Sequence, residues 1–432
     1  MTCECKKIYY NAMRRAIVVC VCFFLAVSVP VRADDGDELN IKIALFGPGD
    51  ELYSWWGHIA LIIENTRTGK NVSYDFGMFD FAANNFFKNF AFGRLLYFCG
   101  SSQAERNISR YVDLDRDVTL YTLDISPEKK EEVRQFAETS ILPENRNYLY
   151  HHFKDSCSTR IRDIVNIATG GQFKERFANE KDRLTLREHV RRHTWFAPPA
   201  DWVLSFLMGQ DIDRPITIWE SMFLPSALAA GIDDFSYSDS DGVPHRLVSD
   251  VEIMYRAYGR FPVLETPRKQ WPQYLVSGII LACIFCLLFF LQTRYPFFGQ
   301  ITVGITYSVF GLLFGGLGLL LFFMSFFTSH DYTFHNANLL FCNPLLLAAF
   351  PLGIKYASAV NYDKRVSAEL PLRLIWLLVV LGIFASMLIK LLPAFYQQNF
   401  PYQIFMLPIA LSLSLEPFGL KRLIQRIFWR LF

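Results

Sequence analysis

Three residue types in this chain are able to act together as a nucleophilic centre: Cys157, His58 and a carboxylate such as Asp75. Asp155-Ser156-Cys157-Ser158-Thr159 stands directly before a segment whose apolar positions 161, 164, 165 and 168 recur at helical spacing, and Gly170-Gly171 supplies its stop. Ser156 or Asp155 is a natural N-cap, which puts Cys157 in the first helical turn. Unpartnered backbone N–H groups and the helix dipole favour negative charge there, so the position suits a thiolate. The same N–H groups can hold the oxyanion of a tetrahedral intermediate. A histidine on a neighbouring strand then completes a nucleophile and base pair.

The segment from Tyr53 to Gly77 reads as a hairpin. Ile59 to Ile63 is apolar and largely β-branched, Asn65 to Lys70 is turn-rich, and Val72 to Phe76 resumes the strand pattern. His58 therefore opens a strand, directly after Gly57. A third group should orient its imidazole. Asp75 on the return strand serves if the register puts it on the face of His58, because a slip of one residue moves it to the other face. His151 and His152, near Cys157 in sequence, are the alternatives. The competing reading makes Cys157 a small buried hydrophobe and His58 a satisfied core residue.

These elements must be positioned by a chain of 432 residues, long enough for two or three domains. With 52% hydrophobic and only 19% charged residues, part of the chain is expected in lipid. Lys+Arg and Asp+Glu nearly balance at +2, which argues against a nucleic-acid partner, and 16% aromatic residues exclude an unfolded chain. Lys6, Lys7, Arg14 and Arg15, the uncharged run 16–29 and Val31-Arg32-Ala33 read as a signal peptide over residues 1–33. Residues 34–268 have the composition of an exported globular domain, and residues 269–432 that of a membrane domain, with the boundary near Pro262 to Pro272.

Five spans are expected, at about 273–292, 301–324, 338–357, 371–391 and 403–419, each near the roughly 20 residues a bilayer core demands. With the globular domain outside, Arg294, Lys355, Lys364, Arg365 and the tail cations Lys421, Arg422, Arg426 and Arg430 face the cytoplasm, as the positive-inside rule asks; Arg268, Lys269 and Lys390 fall on the other side. Of nine cysteines, Cys3, Cys5, Cys20 and Cys22 leave with the signal and Cys283, Cys286 and Cys342 lie in spans. Only Cys99 and Cys157 remain in the exported domain, which leaves a bridge between them open but implies no disulfide framework.

The loop between spans two and three places His330, Asp331, His335, Asn336 and Asn338 beside lipid, where polar groups are costly unless they bind something or line a cavity. Two readings stand side by side: His330, His335, Asn336 and Asn338 hold a phospholipid headgroup or an incoming amine, or the loop seals the contact between the domains. Metal binding through His330, Asp331 and His335 is the weaker reading for want of a third well-placed ligand, and no metal or cofactor is expected. Arg187, Trp219 and Glu220 read as an ion pair and aromatic core rather than as an arm laid on the bilayer. Glu128 to Arg134 reads as a solvated helix face, and Asp211, Asp213, Asp233 and Asp234 as turn residues.

Two stretches, WWGHIALIIE at 55–64 and YLYHHFKDSCSTRIRDIV at 148–165, resemble the circularly permuted papain-like arrangement of the lecithin:retinol acyltransferase-like and NlpC-like thiol enzymes, in which the histidine precedes the cysteine. Tyr74-Asp75-Phe76-Gly77, Thr185-Leu186-Arg187, Trp219 to Pro225 and His335 to Leu340, with the signal, exported domain and helical tail, resemble the Lnb family of lipoprotein N-acyltransferases. The resemblance implies an α+β permuted papain-like domain in the periplasm, fused to an all-α polytopic domain of about five helices in the inner membrane. It implies Cys157 as nucleophile and His58 as base in transfer of an acyl chain from a membrane phospholipid to the α-amine of a diacylated lipoprotein. An NlpC-like amidase or peptidase is the rival within the thiol enzymes and predicts a hydrophilic cleft over Cys157. A non-catalytic membrane scaffold or receptor is the rival outside them.

Overall fold

The computed structural model describes residues 38–239 and 241–415. The signal segment 1–33 with Cys3, Cys5, Cys20 and Cys22, and the tail cations Lys421, Arg422, Arg426 and Arg430, lie outside the described residues.

Alternating apolar residues build the first strands. In β1 (Leu39–Phe46), Leu39, Ile41 and Ile43 are buried on one face and Ala44 and Phe46 on the other, so the strand is central rather than half-solvated. It pairs antiparallel with β2 (His58–Asn65), which turns through Asn65 to Lys70 into β3 (Lys70–Met78). The turn is held by Thr68, whose backbone N–H and hydroxyl both donate to Asn65 Oδ1. Four more strands complete a seven-stranded antiparallel sheet: β4 (Leu96–Gln103), β5 (Val118–Leu123), β6 (Asn147–Leu149) and, after the short hairpin β7 (Ser236–Ser238) and β8 (Pro244–Arg246), β9 (Val248–Tyr255). The order is β6-β4-β3-β2-β1-β5-β9.

Helices cover both faces, giving an α+β domain. The order opens with a short helix, α1 (Phe86–Ala91), and continues with α2 (Ala104–Asp113), α3 (Pro127–Ser140), α4 (Cys157–Ala168) and α5 (Gln172–Phe177). Helices α3 and α4 pack on the face of Ile41, Ile43, Leu61 and Phe76, while α2 packs Ala104 and Tyr111 on the face of Ala44, Phe46, Ala60 and Ile62. The expected solvated helix is α3, capped by Ser126, its outer side laced by pairs of Arg134 with Glu131 and Glu138. Then come α6 (Leu186–Thr194), α7 (Pro198–Leu207), α8 (Ile218–Ser221) and α9 (Pro225–Asp233).

Beyond residue 270 the chain is helical and apolar: α10 (Trp271–Arg294), α11 (Pro296–Phe327), α12 (Ala349–Ala357), α13 (Tyr362–Ile389) and α14 (Phe400–Leu415). Among the described residues four segments are long and apolar enough to cross a membrane, Trp271–Arg294, Pro296–Phe327, Ala337–Ala357 and Tyr362–Ile389, with Phe400–Leu415 a shorter fifth. The third begins as two 3-10 turns, Ala337–Leu340 and Pro344–Ala348, and becomes α-helical only at α12. It lies close against α11: a Cβ on Gly318 would meet Asn343 Cα at 2.6 Å, and one on Gly311 would meet Ala349 Cβ at 2.6 Å.

The two halves are joined through a buried seam. Trp202 and Phe206 of α7 pack around Tyr402 of α14, and Phe206 belongs to the core of the membrane helices. Arg187 of α6 is fully buried and paired with Asp213 at 2.7 Å, while its Nη2 donates to the Met208 and Gly209 carbonyls. Asp213 closes a 3-10 turn, Gln210–Ile212, as its turn reading expects, and does more than that. Its side chain is wholly buried and also accepts from the Gln398 backbone N–H at 3.0 Å, so it binds exported and membrane halves at once. Glu220 pairs with Arg214, and Arg162 lies 4.0 Å from the Trp219 ring centroid, in keeping with the structural reading of these residues.

Candidate active site

The sulfur, the imidazole and the carboxylate meet where β2 begins and β3 ends. Cys157 is the first residue of α4, as the N-cap pattern predicts. The Ser156 hydroxyl accepts from the Thr159 N–H, and the Thr159 hydroxyl accepts in return from the Ser156 N–H at 2.7 Å. This capping box takes up two of the free amides of the helix start and leaves those of Cys157 and Ser158 without a helical carbonyl partner. The Ser158 hydroxyl donates to the Met222 carbonyl at 2.7 Å, which fixes the first turn against the loop before α9.

His58 follows Gly57, whose φ of +82° makes the sharp entry into β2. Leu61 pairs with Tyr74, and continuing that register sets Ala60 opposite Asp75, so Asp75 falls on the face of His58. His58 Nε2 lies 3.1 Å from Asp75 Oδ1. The carboxylate can only accept, so Nε2 carries the proton and Nδ1 is the nitrogen left for the sulfur. The Cys157 sulfur is among the neighbours that raise the affinity of the His58 ring for its proton. Gly77 serves the bulge here: the strand pairing shifts between Asp75 and Met78 and φ is +81°, while a Cβ there would be in ordinary contact with the Cys157 Cβ at 3.5 Å.

Burial alone would lower the affinity of His58 for its proton. The Tyr111 hydroxyl, the Cys157 sulfur and the Asp75 carboxylate outweigh it and hold the imidazolium well above the ordinary histidine value. Asp75 is itself buried and held by groups the sequence reading did not single out. Ser73 donates to its Oδ2 at 2.9 Å, and Asn107 of α2 donates to the same oxygen at 3.0 Å and to Ser73 Oγ at 2.8 Å. One turn further along α2, Tyr111 stacks on Phe46 at 3.7 Å and, at 5.9 Å, on His58. Asn107 and Tyr111 are four residues apart on one helix face, so a single helix orients both the carboxylate and the ring. The only advance signal was that spacing, and it has no partner until the sheet is assembled.

The other sequence-predicted groups go elsewhere. His151 Nε2 lies 2.7 Å from Asp331 rather than beside His58, and the exposed His152 ring stands edge-on to Tyr150 and Tyr332. Cys99 and Cys157 are both free thiols, so the bridge between them is not formed, and burial pushes the Cys99 thiol up to about 12. His330 accepts from or donates to Tyr332 at 2.9 Å and lies 3.0 Å from the Phe90 carbonyl. Asn336 and Asn338 both donate to the Phe206 carbonyl, at 3.0 and 2.8 Å, within the domain seam. His335 alone of the four is exposed, 3.4 Å from Asp211. With Asp331 turned to His151 and Lys154, the three candidate ligands of the loop diverge, and the described residues hold no group of three or more metal-ligating side chains.

Taken together, the cluster sets a thiol in the first turn of a helix near an imidazole oriented by a buried carboxylate, with the Cys157 and Ser158 amides lacking helical carbonyl partners. Residues 29–192 match the model of the Lnb N-terminal periplasmic domain. No curated protein and no solved structure matches the chain.

Proposed function

We propose, from the match of residues 29–192 to the Lnb N-terminal periplasmic domain, that the chain is a lipoprotein N-acyltransferase of the inner membrane, with a permuted papain-like thiol domain. The observation that carries this reading is the Cys157–His58–Asp75 constellation, with the thiol in the first turn of α4 and the carboxylate buried behind the ring.

In the first half-reaction the Cys157 thiolate attacks an ester carbonyl carbon of a membrane phospholipid. The Cys157 and Ser158 amides stabilise the oxyanion, the C–O bond to glycerol breaks, and the His58 imidazolium gives its proton to the departing lysolipid oxygen. The acyl chain is then a thioester on Cys157. In the second, the α-amine of a diacylglyceryl-cysteine attacks that thioester and His58 takes the amine proton. The C–S bond breaks, an amide forms, and the thiolate is restored. Asp75 orients the ring through both halves.

The membrane helices fit this reaction, because donor and acceptor are both lipids and confinement to one leaflet supplies proximity. Tyr150, which borders Cys157 across Gly77, and Tyr97 stacked on it offer aromatic faces to an acyl chain, which supports a lipid donor over the peptide of a cell-wall amidase. Of the loop residues proposed for substrate, His335 is the one with its ring open to solvent, while His330, Asn336 and Asn338 are engaged in sealing the seam.

The test is mass spectrometry of a tagged lipoprotein N-terminus in cells or vesicles carrying the full chain. Active protein adds one acyl chain, and Cys157 carries a hydroxylamine-labile acyl group when the acceptor is withheld. Cys157→Ser and His58→Ala, compared at equal membrane abundance, abolish both products. Wild-type acylation by either variant overturns the mechanism.

A further inference from the structure

The segment between β3 and β4 has no part in the chemistry above. It runs Phe79-Asp80-Phe81 into α1, Phe86-Phe87-Lys88-Asn89-Phe90-Ala91, and on through Phe92-Gly93-Arg94. Helix α1 buries none of its residues, and Phe81, Phe87 and Phe90 are 55, 70 and 47% exposed. An unbroken aromatic surface of this kind in water is unfavourable without a cover.

Its neighbours show what the cover is. At one end the segment is bound to the periplasmic end of α11. The Ser329 N–H donates to the Phe92 carbonyl at 2.8 Å, the Phe92 and Phe323 rings touch at 5.6 Å, and the Gly93 backbone lies against that of His330. Phe326 and Phe327, the last residues of α11, are as exposed as the phenylalanines of α1, so the aromatic surface continues the lipid-facing surface of a membrane span without a break. At the other end it reaches the reacting sulfur through touching rings. Phe81 meets Phe79 at 5.0 Å, Phe79 meets Tyr97 at 5.0 Å, and Tyr97 stacks on Tyr150 at 4.5 Å. Tyr150 and Cys157 both border Gly77. Lys88 and Arg94, both exposed, flank the phenylalanines as cations do at the level of lipid phosphates.

We propose that the Phe79–Phe92 segment is seated in the bilayer leaflet on the periplasmic side and forms the path along which a phospholipid acyl chain reaches Cys157. The seating stands on the surface alone; the path rests on the acyl-transfer reading. A chain sliding from the leaflet over apolar rings stays out of water until its carbonyl meets the sulfur, whereas lifting it free would expose its methylenes at about 0.8 kcal/mol each.

Two measurements on the full chain in phosphatidylethanolamine–phosphatidylglycerol vesicles test this. Phe87→Trp adds fluorescence that brominated lipid quenches if the segment is in the leaflet; an unquenched signal overturns the seating whatever the protein's activity. The second compares Phe81→Glu/Phe87→Glu with wild type on vesicle phospholipid and on water-soluble p-nitrophenyl butyrate. The expected result is a loss of about tenfold or more on vesicles with the soluble ester within about twofold. Unchanged vesicle turnover overturns the path. If both substrates are lost, Phe81→Leu/Phe87→Leu decides: restored vesicle turnover supports the path and continued loss overturns it. A quenched Phe87→Trp in a protein that cleaves neither ester removes the acyl-transfer reading and the path with it, and leaves the seating intact.

Discussion

At the residue scale the proton on His58 is the sensitive quantity. The folded ring holds it more tightly than the unfolded chain does, so its contribution to stability is complete below about pH 6.5 and is lost as pH rises through the folded value. If the imidazolium is the form that protonates the lysolipid, the alkaline limb of the pH–rate profile lies well above neutrality. Asp75→Asn removes one of the interactions that raise it. The expected outcome is an alkaline limb moved to lower pH and a rate of acylation lower by about 10²-fold, read from the profile of the first half-reaction. Asn107→Leu strips a donor that holds the buried carboxylate in place and is expected to slow acylation through a less well oriented ring while leaving Cys157 able to form a thioester. Cys157 and His58 were legible in the chain because a cap signal and a strand signal are local. Ser73, Asn107 and Tyr111 were not, since their contacts with Asp75 and His58 join α2 to the sheet and carry no mark in the neighbouring sequence.

Among the elements, two small features place the nucleophile. The Ser156–Thr159 capping box defines where α4 starts, and Ser156→Ala is expected to cost about 1 kcal/mol, seen as a lower midpoint in thermal unfolding. Gly77 holds the bulge beside the sulfur through its backbone. Alanine there adopts left-handed backbone at a cost of roughly 1–2 kcal/mol and brings a methyl group 3.5 Å from the Cys157 Cβ and 3.4 Å from the Tyr150 ring. Gly77→Ala is therefore expected to fold and insert with stability lower by about that strain, read as a lower thermal midpoint, and with a smaller acyl-enzyme yield where the strained bulge shifts. The hairpin of β2 and β3 followed from alternation and turn residues, but its register decided whether Asp75 could serve, and register depends on a turn held by side chains. The third membrane segment shows the same boundary: its hydropathy marks a span, and the two 3-10 turns at its start come from packing against α11.

Across the whole molecule, the apolar helices were readable from composition, while the seam was not. Polar residues near lipid look alike whether they bind substrate or another domain, and the carbonyls of Phe206 and Met208 that decide the matter lie more than a hundred residues away in the chain. Asp213→Ala strands the Arg187 guanidinium in that seam and is expected to cost about 3–5 kcal/mol, enough to reduce the amount of intact protein recovered from membranes, with Asp213→Glu recovering part of it. Asp331 gives the last consequence. Hydrogen-bonded to His151 at 2.7 Å, and thereby held well below the ordinary carboxylate range, it moors the strand-end that precedes Cys157 to the loop between two spans. The sulfur thus has a set altitude over the bilayer. Under the acyl-transfer reading, an acceptor whose amine is tethered at the membrane must reach that fixed height, so the chain just beyond the amine has to be extended.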